Sequence, residues 1–352
     1  MPMGTETTQG PLSGIRVIEF SGIGPIPHCG MMLSDLGAEV VTIDRPGGYG
    51  PRNDALERGR AVLTLDLHDA AEAKLAADAA VHADVLIEGY RPGVMERLGL
   101  GPEELCALNP RLIYGRLTGW GQDGTLAATV GHDINYLAIT GALAALGRPG
   151  DPPSPPLNLV GDYGGGSMLL LVGILAALVE REKSGRGQVI DAAIVDGVSS
   201  MLAMFASVPI KREESVLGGA APFYRTYECA DGKFVALGAI EDKFWAAFVD
   251  RAGIGGDWPR YDASLWPEQS AELEALFRTK AASEWAALFE GSDACVTELV
   301  ELSDAPAHPQ LAARRTYAGG QPAPAPRLSR TPAAIRPRSD NGRAVIARWM
   351  DG

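Results

Sequence analysis

Residues 15–44 read IRVIEFSGIGPIPHCGMMLSDLGAEVVTID, and this stretch decides the fold. IRVIEF (15–20) and AEVVTID (38–44) are short runs rich in β-branched residues, as strands require. Between them GIGPIPHCGMMLSDLG carries Gly and Pro at its start and helical spacing after it. Gly37 stands where such a helix should stop, because glycine accepts the left-handed conformation that closes a helix. The stretch is a β-α-β unit. Further along the chain, AVLTLDL (61–67), DVLIEGY (84–90) and LIYGRLTGW (112–120) read as strands. AAEAKLAADAAVHA (70–83) and GPEELCALNP (101–110) read as helices, the latter with acidic residues in its first turn, where the helix dipole favours them. Alternation of this kind over about 120 residues predicts a mostly parallel sheet with helices on both faces.

Beyond the sheet, GHDINYLAITGALAALG (131–147) is expected to be helical after its start and is followed by the Pro-rich RPGDPPSPPLN. GDYGGGSMLLLVGILAALVERE (161–182) reads as a Gly-rich turn feeding a helix that is apolar on nearly every side, which predicts burial. Its longest apolar run, MLLLVGILAALV (168–179), falls short of the roughly 20 residues that a bilayer needs, so a core helix is expected rather than a membrane span. Composition shifts near residue 207. The expected division is a large α/β domain at 1–206, a linker at 207–221, and a small α+β domain at 222–305. A segment at 306–352 is expected to return to the large domain, its Pro- and Arg-rich part (319–340) extended over the surface rather than packed. In the small domain YRTYECADGKFVALGAI (224–240) reads as a hairpin turning at Asp231-Gly232, ahead of three helical segments.

Composition narrows the function. The 352 residues carry a formal net charge of −13, which disfavours binding of nucleic acid through the bulk surface. Cys29, Cys106, Cys229 and Cys295 are scattered, with no C-x-x-C pair and no zinc spacing, so reduced thiols and a cytoplasmic, soluble protein are expected. The polar start lacks the apolar core of a signal peptide.

Several motifs carry chemistry. GIGPIP after the first strand resembles a dinucleotide fingerprint, with Gly22 and Gly24 in place but Pro27 where the third glycine belongs. Asp44, about 20 residues on, could hold a ribose. A nicotinamide oxidoreductase is therefore one reading. Arg45 at the carboxyl end of a strand suits a phosphate as well as solvent. Arg91 and Arg97, in EGYRPGVMERLG, could hold a polyphosphate. Asp162 precedes three glycines and a helix start. It is either a cap or a carboxyl group placed under a carbonyl substrate, with the amides of residues 162–164 available to an enolate oxygen. His132, one of five histidines, enters a helix after Gly131. Asp133 and Asn135 could orient its ring, and Tyr136 shares its helical face.

Taken together, the strings PLSGIRVIEFSGIGPIPHCGMMLSDLGAEVVTIDRP, DVLIEGYRPGVMERLGLGPEE, RLIYGRLTGWGQ, GHDINYLAITG, PPLNLVGDYGGGSMLLLVGILAALVER, GQVIDAAIVDG and APFYRTYECADGKFVALGAIE resemble the α-methylacyl-CoA racemases of the class III CoA-transferase superfamily. The resemblance runs from about residue 11 to 245. It implies a Rossmann-like large domain joined by long linkers to the small domain, and an interlocked homodimer. It also implies that His132 and Asp162 are the catalytic acid/base pair, with Glu241 supplied by the small domain to pair with the histidine. Arg45, Leu65, Asp66, Leu67, Gly89, Tyr90, Arg91 and Arg97 match CoA-binding positions, and Gly131, Asp133 and Tyr136 are counted with them. CoA is then part of the substrate, and no cofactor, metal or membrane span is expected. Departures are His68, where a lysine is usual, a less basic LERGR (56–60), and a shortened connector at 205–220. The competing class is a CoA-transferase in which Asp162 is a nucleophile, and the third is a CoA-binding protein without catalysis.

Overall fold

The computed structural model describes residues 10–48, 53–208, 211–256 and 258–351. In chain order the first half comprises β1 (Arg16–Phe20), α1 (Pro25–Asp35), β2 (Glu39–Asp44), α2 (Asp54–Glu57), β3 (Arg60–Thr64), α3 (Ala70–Val81), β4 (Val85–Glu88), α4 (Val94–Arg97), α5 (Pro102–Leu108), β5 (Ile113–Thr118), α6 (Asp133–Ile139) and α7 (Ala142–Ala145). A π-helical stretch, Leu159–Met168, runs straight into α8 (Leu169–Ser184), followed by β6 (Val189–Ala193) and α9 (Ile194–Met201). The remainder comprises β7 (Tyr224–Glu228), β8 (Phe234–Gly238), α10 (Asp242–Ala252), α11 (Trp266–Phe277), α12 (Ala282–Phe289), β9 (Val296–Glu298), α13 (Pro309–Ala313), β10 (Tyr317–Ala318), β11 (Gln321–Pro322) and α14 (Gly342–Asp351).

Chain contacts divide the protein into two compact units. The larger takes in Met1–Thr140, Pro156–Ala203 and Arg315–Gly352; the smaller takes in Gly141–Pro155 and Met204–Arg314. The larger unit holds six parallel strands in the order β3-β2-β1-β4-β5-β6. Val17, Ile18, Phe20, Val85, Leu86 and Ile87 are fully buried, as strands covered on both faces must be. Gly37 follows α1 at φ +110°, ending it as the sequence predicts. Strand order reverses between β1 and β4. In such sheets the carboxyl ends splay apart at that point and leave a crevice for ligands.

One expectation needs correction here. α8 is not buried all round: it packs on β5 and β6, but Val172 and Val179 are 56% and 64% exposed. The stretch Leu159–Ser184 is apolar and long enough to cross a membrane, yet it serves as the crossover helix between neighbouring parallel strands. After an irregular stretch at 323–339, exposed or half-buried throughout, the chain ends in a helix. α14 buries Val345, Ile346 and Trp349 in the core beside β2 and β3.

In the smaller unit β7, β8 and β9 form an antiparallel sheet, with Glu228 paired to Phe234 across the turn that contains Asp231-Gly232. β9 is absent from the sequence reading. The core is aromatic: Tyr227, Phe248, Phe277, Trp285 and Phe289 stack on one another. Ala220 and Ala221, read as linker, already lie in that core. Residues 141–155 join this unit through Arg148, which donates to the Thr226 carbonyl at 2.5 Å.

Candidate active site

A cleft of about 470 Å3 opens at the point where strand order reverses. Ile23 and Gly24 after β1, Gly89 to Pro92 after β4, and Leu117 to Trp120 at the end of β5 form its walls. Gly131, His132, Asp133 and Tyr136 reach it from the start of α6, and Asp162 reaches it from the π-helical stretch. Residues far apart in sequence meet because every contributing loop leaves the carboxyl edge of the same parallel sheet.

His132 is exposed at the entry of α6 in extended conformation (φ −131°, ψ 173°). Its backbone N–H donates to Asn135 Oδ1 at 3.0 Å. Asn135 therefore secures the turn rather than the imidazole. Tyr136 is buried and its hydroxyl donates to the Gly131 carbonyl, which ties down the residue before His132. The ring packs edge-on against Trp120 at 4.7 Å. Tyr136, counted among the CoA contacts, is thus committed to shaping the turn.

Asp162 lies inside the π-helical stretch, where each turn takes in one more residue than an α-turn and wide loops of backbone are exposed at functional sites. Burial is the main cause pushing its carboxyl up to about 6, and the negative charge of Asp133 adds to it. A hydrogen bond from Asn158 and the proximity of His132 pull the other way. Asn158 escaped the sequence reading. It sits one helical turn before Asp162, but a Gly-rich string read as a turn hides that periodicity. Gly24 has φ +71°, and a Cβ there would fall 2.9 Å from Asp162 Oδ2. That glycine makes room for a carboxylate of the protein itself, which displaces the dinucleotide reading. Asp44 likewise accepts from Ser21 Oγ at 2.7 Å and from the Arg45 N–H at 2.9 Å.

The amides expected to face an enolate are partly spent. The Asp162 N–H donates to Asp133 Oδ1 at 2.7 Å, and the Tyr163 N–H donates to the Asn158 carbonyl at 3.1 Å. The same bond turns Asp133, expected among the CoA contacts, toward the π-helical backbone. The stretch is held from its other side by His28, whose ring stacks on Tyr163 at 4.1 Å and whose Nδ1 lies 2.5 Å from Ser167 Oγ. Burial, together with the charges of Arg58 and Arg60, pushes His28 down to about 4, so it is neutral at physiological pH.

The expected CoA positions lie along the same sheet edge. Arg91 is exposed and lines the cleft. Arg97 is exposed on α4, with its guanidinium over the Gly93 turn, and Arg45 is exposed after β2, its Nε donating to the Gly48 carbonyl at 2.7 Å. The Tyr90–Arg91 segment is anchored from below: Glu88, fully buried, accepts from the Tyr90 N–H at 2.7 Å and from Arg116 Nε at 2.9 Å. Asp66 is exposed and Leu67 half-buried beyond β3. Leu65 is a core residue, 1% exposed, and its N–H donates to the Asp44 carbonyl, so its side chain has no surface to offer a ligand. Glu241 belongs to the smaller unit, exposed at the start of α10. Among the described residues no three His, Cys, Asp or Glu side chains gather as a metal site.

His132 and Asp162 thus lie at the switch point of a parallel sheet, where such folds take their ligands. The chain belongs to CoA-transferase family III, whose model matches residues 12–339. It is 43% identical to an α-methylacyl-CoA racemase of Mus musculus over 94% of this chain and 89% of the relative, and 42% identical to the Homo sapiens protein of the same name over 92% and 87%. The fold superposes on a CAIB/BAIF family protein from Brucella suis with a TM-score of 0.81 at 25% identity, over 97% of this chain and 100% of that one.

Proposed function

We propose that this protein is an α-methylacyl-CoA racemase that interconverts (R)- and (S)-2-methylacyl-CoA thioesters. One observation carries the reading: a single cleft brings together His132 and an Asp162 whose carboxyl sits at about 6, able to give and take a proton near neutrality. The α-carbon of the thioester lies between them. One group removes the α-proton, the C–H electron pair moves to the thioester carbonyl as an enolate, and the other group delivers a proton to the opposite face. For the other enantiomer the roles exchange. Only protons move, so the reaction needs no redox group. With the Asp162 and Tyr163 amides spent, the amides of Asp133 and Ile134 at the start of α6 are the donors for the enolate oxygen, since the Asn135 N–H already donates to the His132 carbonyl at 2.8 Å.

Arg91, Arg97 and Arg45 hold the phosphates of CoA along the carboxyl edge of the sheet. The enzyme works as a cytoplasmic homodimer. The alternative within the family makes Asp162 a nucleophile that carries the acyl group and then CoA.

Proton NMR of the enzyme with one enantiomer of a 2-methylacyl-CoA in D2O, with no acceptor acid present, separates the two. Loss of the α-proton signal together with appearance of the other enantiomer is the expected result. His132→Ala and Asp162→Asn should each slow it about 100- to 10,000-fold. No exchange, followed by CoA transfer once a free acid is added, would move the protein to the transferases.

A further inference from the structure

Two carboxylates meet at the start of the π-helical stretch, and the proposed reaction uses one of them. The other, Asp133, comes from α6. Its Oδ1 accepts the Asp162 N–H at 2.7 Å, and the Gly161 amide also bonds to this carboxylate. Gly161 has no room for a side chain, because a Cβ there would fall 2.2 Å from the same oxygen. Asp133 Oδ2 is buried and has no hydrogen-bond partner among the described residues. Gripping helix amides does not require a charge, since asparagine or serine serves as well as aspartate. A half-buried carboxylate whose buried oxygen is unmatched is an expensive choice for that purpose.

We propose that Asp133 is a positioning residue for Asp162: it grips the π-helical backbone that carries Asp162 and fixes a negative charge beside its carboxyl, so that this carboxyl can act as an acid as well as a base. The proposal rests on the reading of Asp162 as one of the two proton-transfer groups. An aspartate at its ordinary value holds a proton in about one molecule per thousand at pH 7, too few to supply the acid for one enantiomer. At about 6 the share is near one in ten. Two like charges side by side favour a proton on one of them. Burial raises the Asp133 carboxyl too, but the amides of Asp162 and Gly161 oppose that rise, whereas no backbone amide does so for Asp162, and this favours the proton on Asp162.

The charges acting on Asp162 are Asp133 and His132, both from α6. The other titratable groups on the surrounding elements have other partners or lie elsewhere. His28 of α1 faces Tyr163 and Ser167, Arg116 of β5 is tied to Glu88 and Glu96, and Asp191 of β6 accepts the Gln122 amide. Asp196 lies in the first turn of α9, and Tyr136 feels both aspartates and Arg91.

The test is a carbon-13 NMR titration of protein labelled at the aspartate carboxyls, without substrate, with the Asp162 resonance assigned by its loss in Asp162→Asn. In the parent it should titrate near pH 6. Asp133→Asn keeps an oxygen for the Asp162 amide but removes the charge. The midpoint should then fall by about one pH unit, and the acid-side limb of racemisation should move down with it. An unmoved midpoint in a folded Asp133→Asn protein would reduce Asp133 to a backbone cap and overturn the proposal. Should that variant not fold, Asp133→Ser is read by the same criterion. The racemase reading fails separately, if the parent does not exchange the α-proton or if Asp162→Asn still does.

Discussion

At the scale of single residues the site depends on what is missing from Gly24 as much as on what Asp162 carries. Gly24 combines φ +71° with ψ −116°, a conformation that side chains rarely adopt, and Asp162 Oδ2 occupies the space a Cβ would take. Gly24→Ala should leave the fold intact at a cost of about 1–2 kcal/mol in backbone strain. It should push the carboxyl aside and lower kcat by about 10- to 100-fold with little change in KM, since a displacement near 1 Å is enough for such a loss. Steady-state kinetics beside a thermal melt decide the matter: a folded variant with kcat within twofold of the parent would show that the contact places nothing. The sequence showed Gly24 plainly but offered the wrong partner for it. A glycine after a strand advertises close approach without saying whether a phosphate or a carboxylate comes close.

At the scale of elements, legibility followed burial. The parallel strands were readable because two-sided burial demands unbroken runs of Val, Ile and Leu, and α1 because Gly and Pro bracket it. The π-helical stretch was not, since Gly161 and Gly164 to Gly166 erase any periodic signal; its shape comes from outside, from Asp133 on one side and His28 on the other. α14 was hidden by its Pro- and Arg-rich approach, and β9 by being three residues long. The turn after β4 was legible as basic, but its support was not. Glu88 is fully buried, and its carboxyl is raised by burial while the Tyr90 amide and Arg116 oppose that rise. Arg116→Met removes the opposing charge and should destabilise the protein by about 3–5 kcal/mol near neutral pH. The sign with pH follows from the raised value. Without Arg116 the Glu88 carboxyl is raised further than in the parent, and a carboxyl with the higher folded pKa loses more stability as pH rises, so the deficit should be larger at pH 8 than at pH 5, changing by at most about 1.4 kcal/mol per pH unit. Urea unfolding at the two pH values reads this directly, and a deficit equal at both would show that Glu88 is not the group left unpaired.

At the scale of the whole molecule, the long apolar helix presents a surface that the single chain does not use. The sequence predicted a helix apolar all round and therefore inside. In the structure one side of α8 covers β5 and β6, while Val172, Ala176 and Val179 share an exposed face at helical spacing. Sequence could not separate these outcomes, because a helix buried by its own chain and one buried by a second copy have the same composition. If the protein is the homodimer proposed above, this stripe is a surface on which the same patch would meet itself across a two-fold axis. Val172→Lys combined with Val179→Lys puts like charges on both sides of such a contact. Light scattering should find the parent as a dimer and the double variant as a monomer with unchanged far-ultraviolet circular dichroism. Activity separates two roles for that contact. A monomer that still exchanges the α-proton at the parental rate would place the whole of the chemistry within one chain. A folded monomer that has lost exchange would mean that the second copy completes the site, through a group such as Glu241. A double variant that remains a dimer would show that the partner is seated elsewhere and that α8 is covered by something other than its own copy.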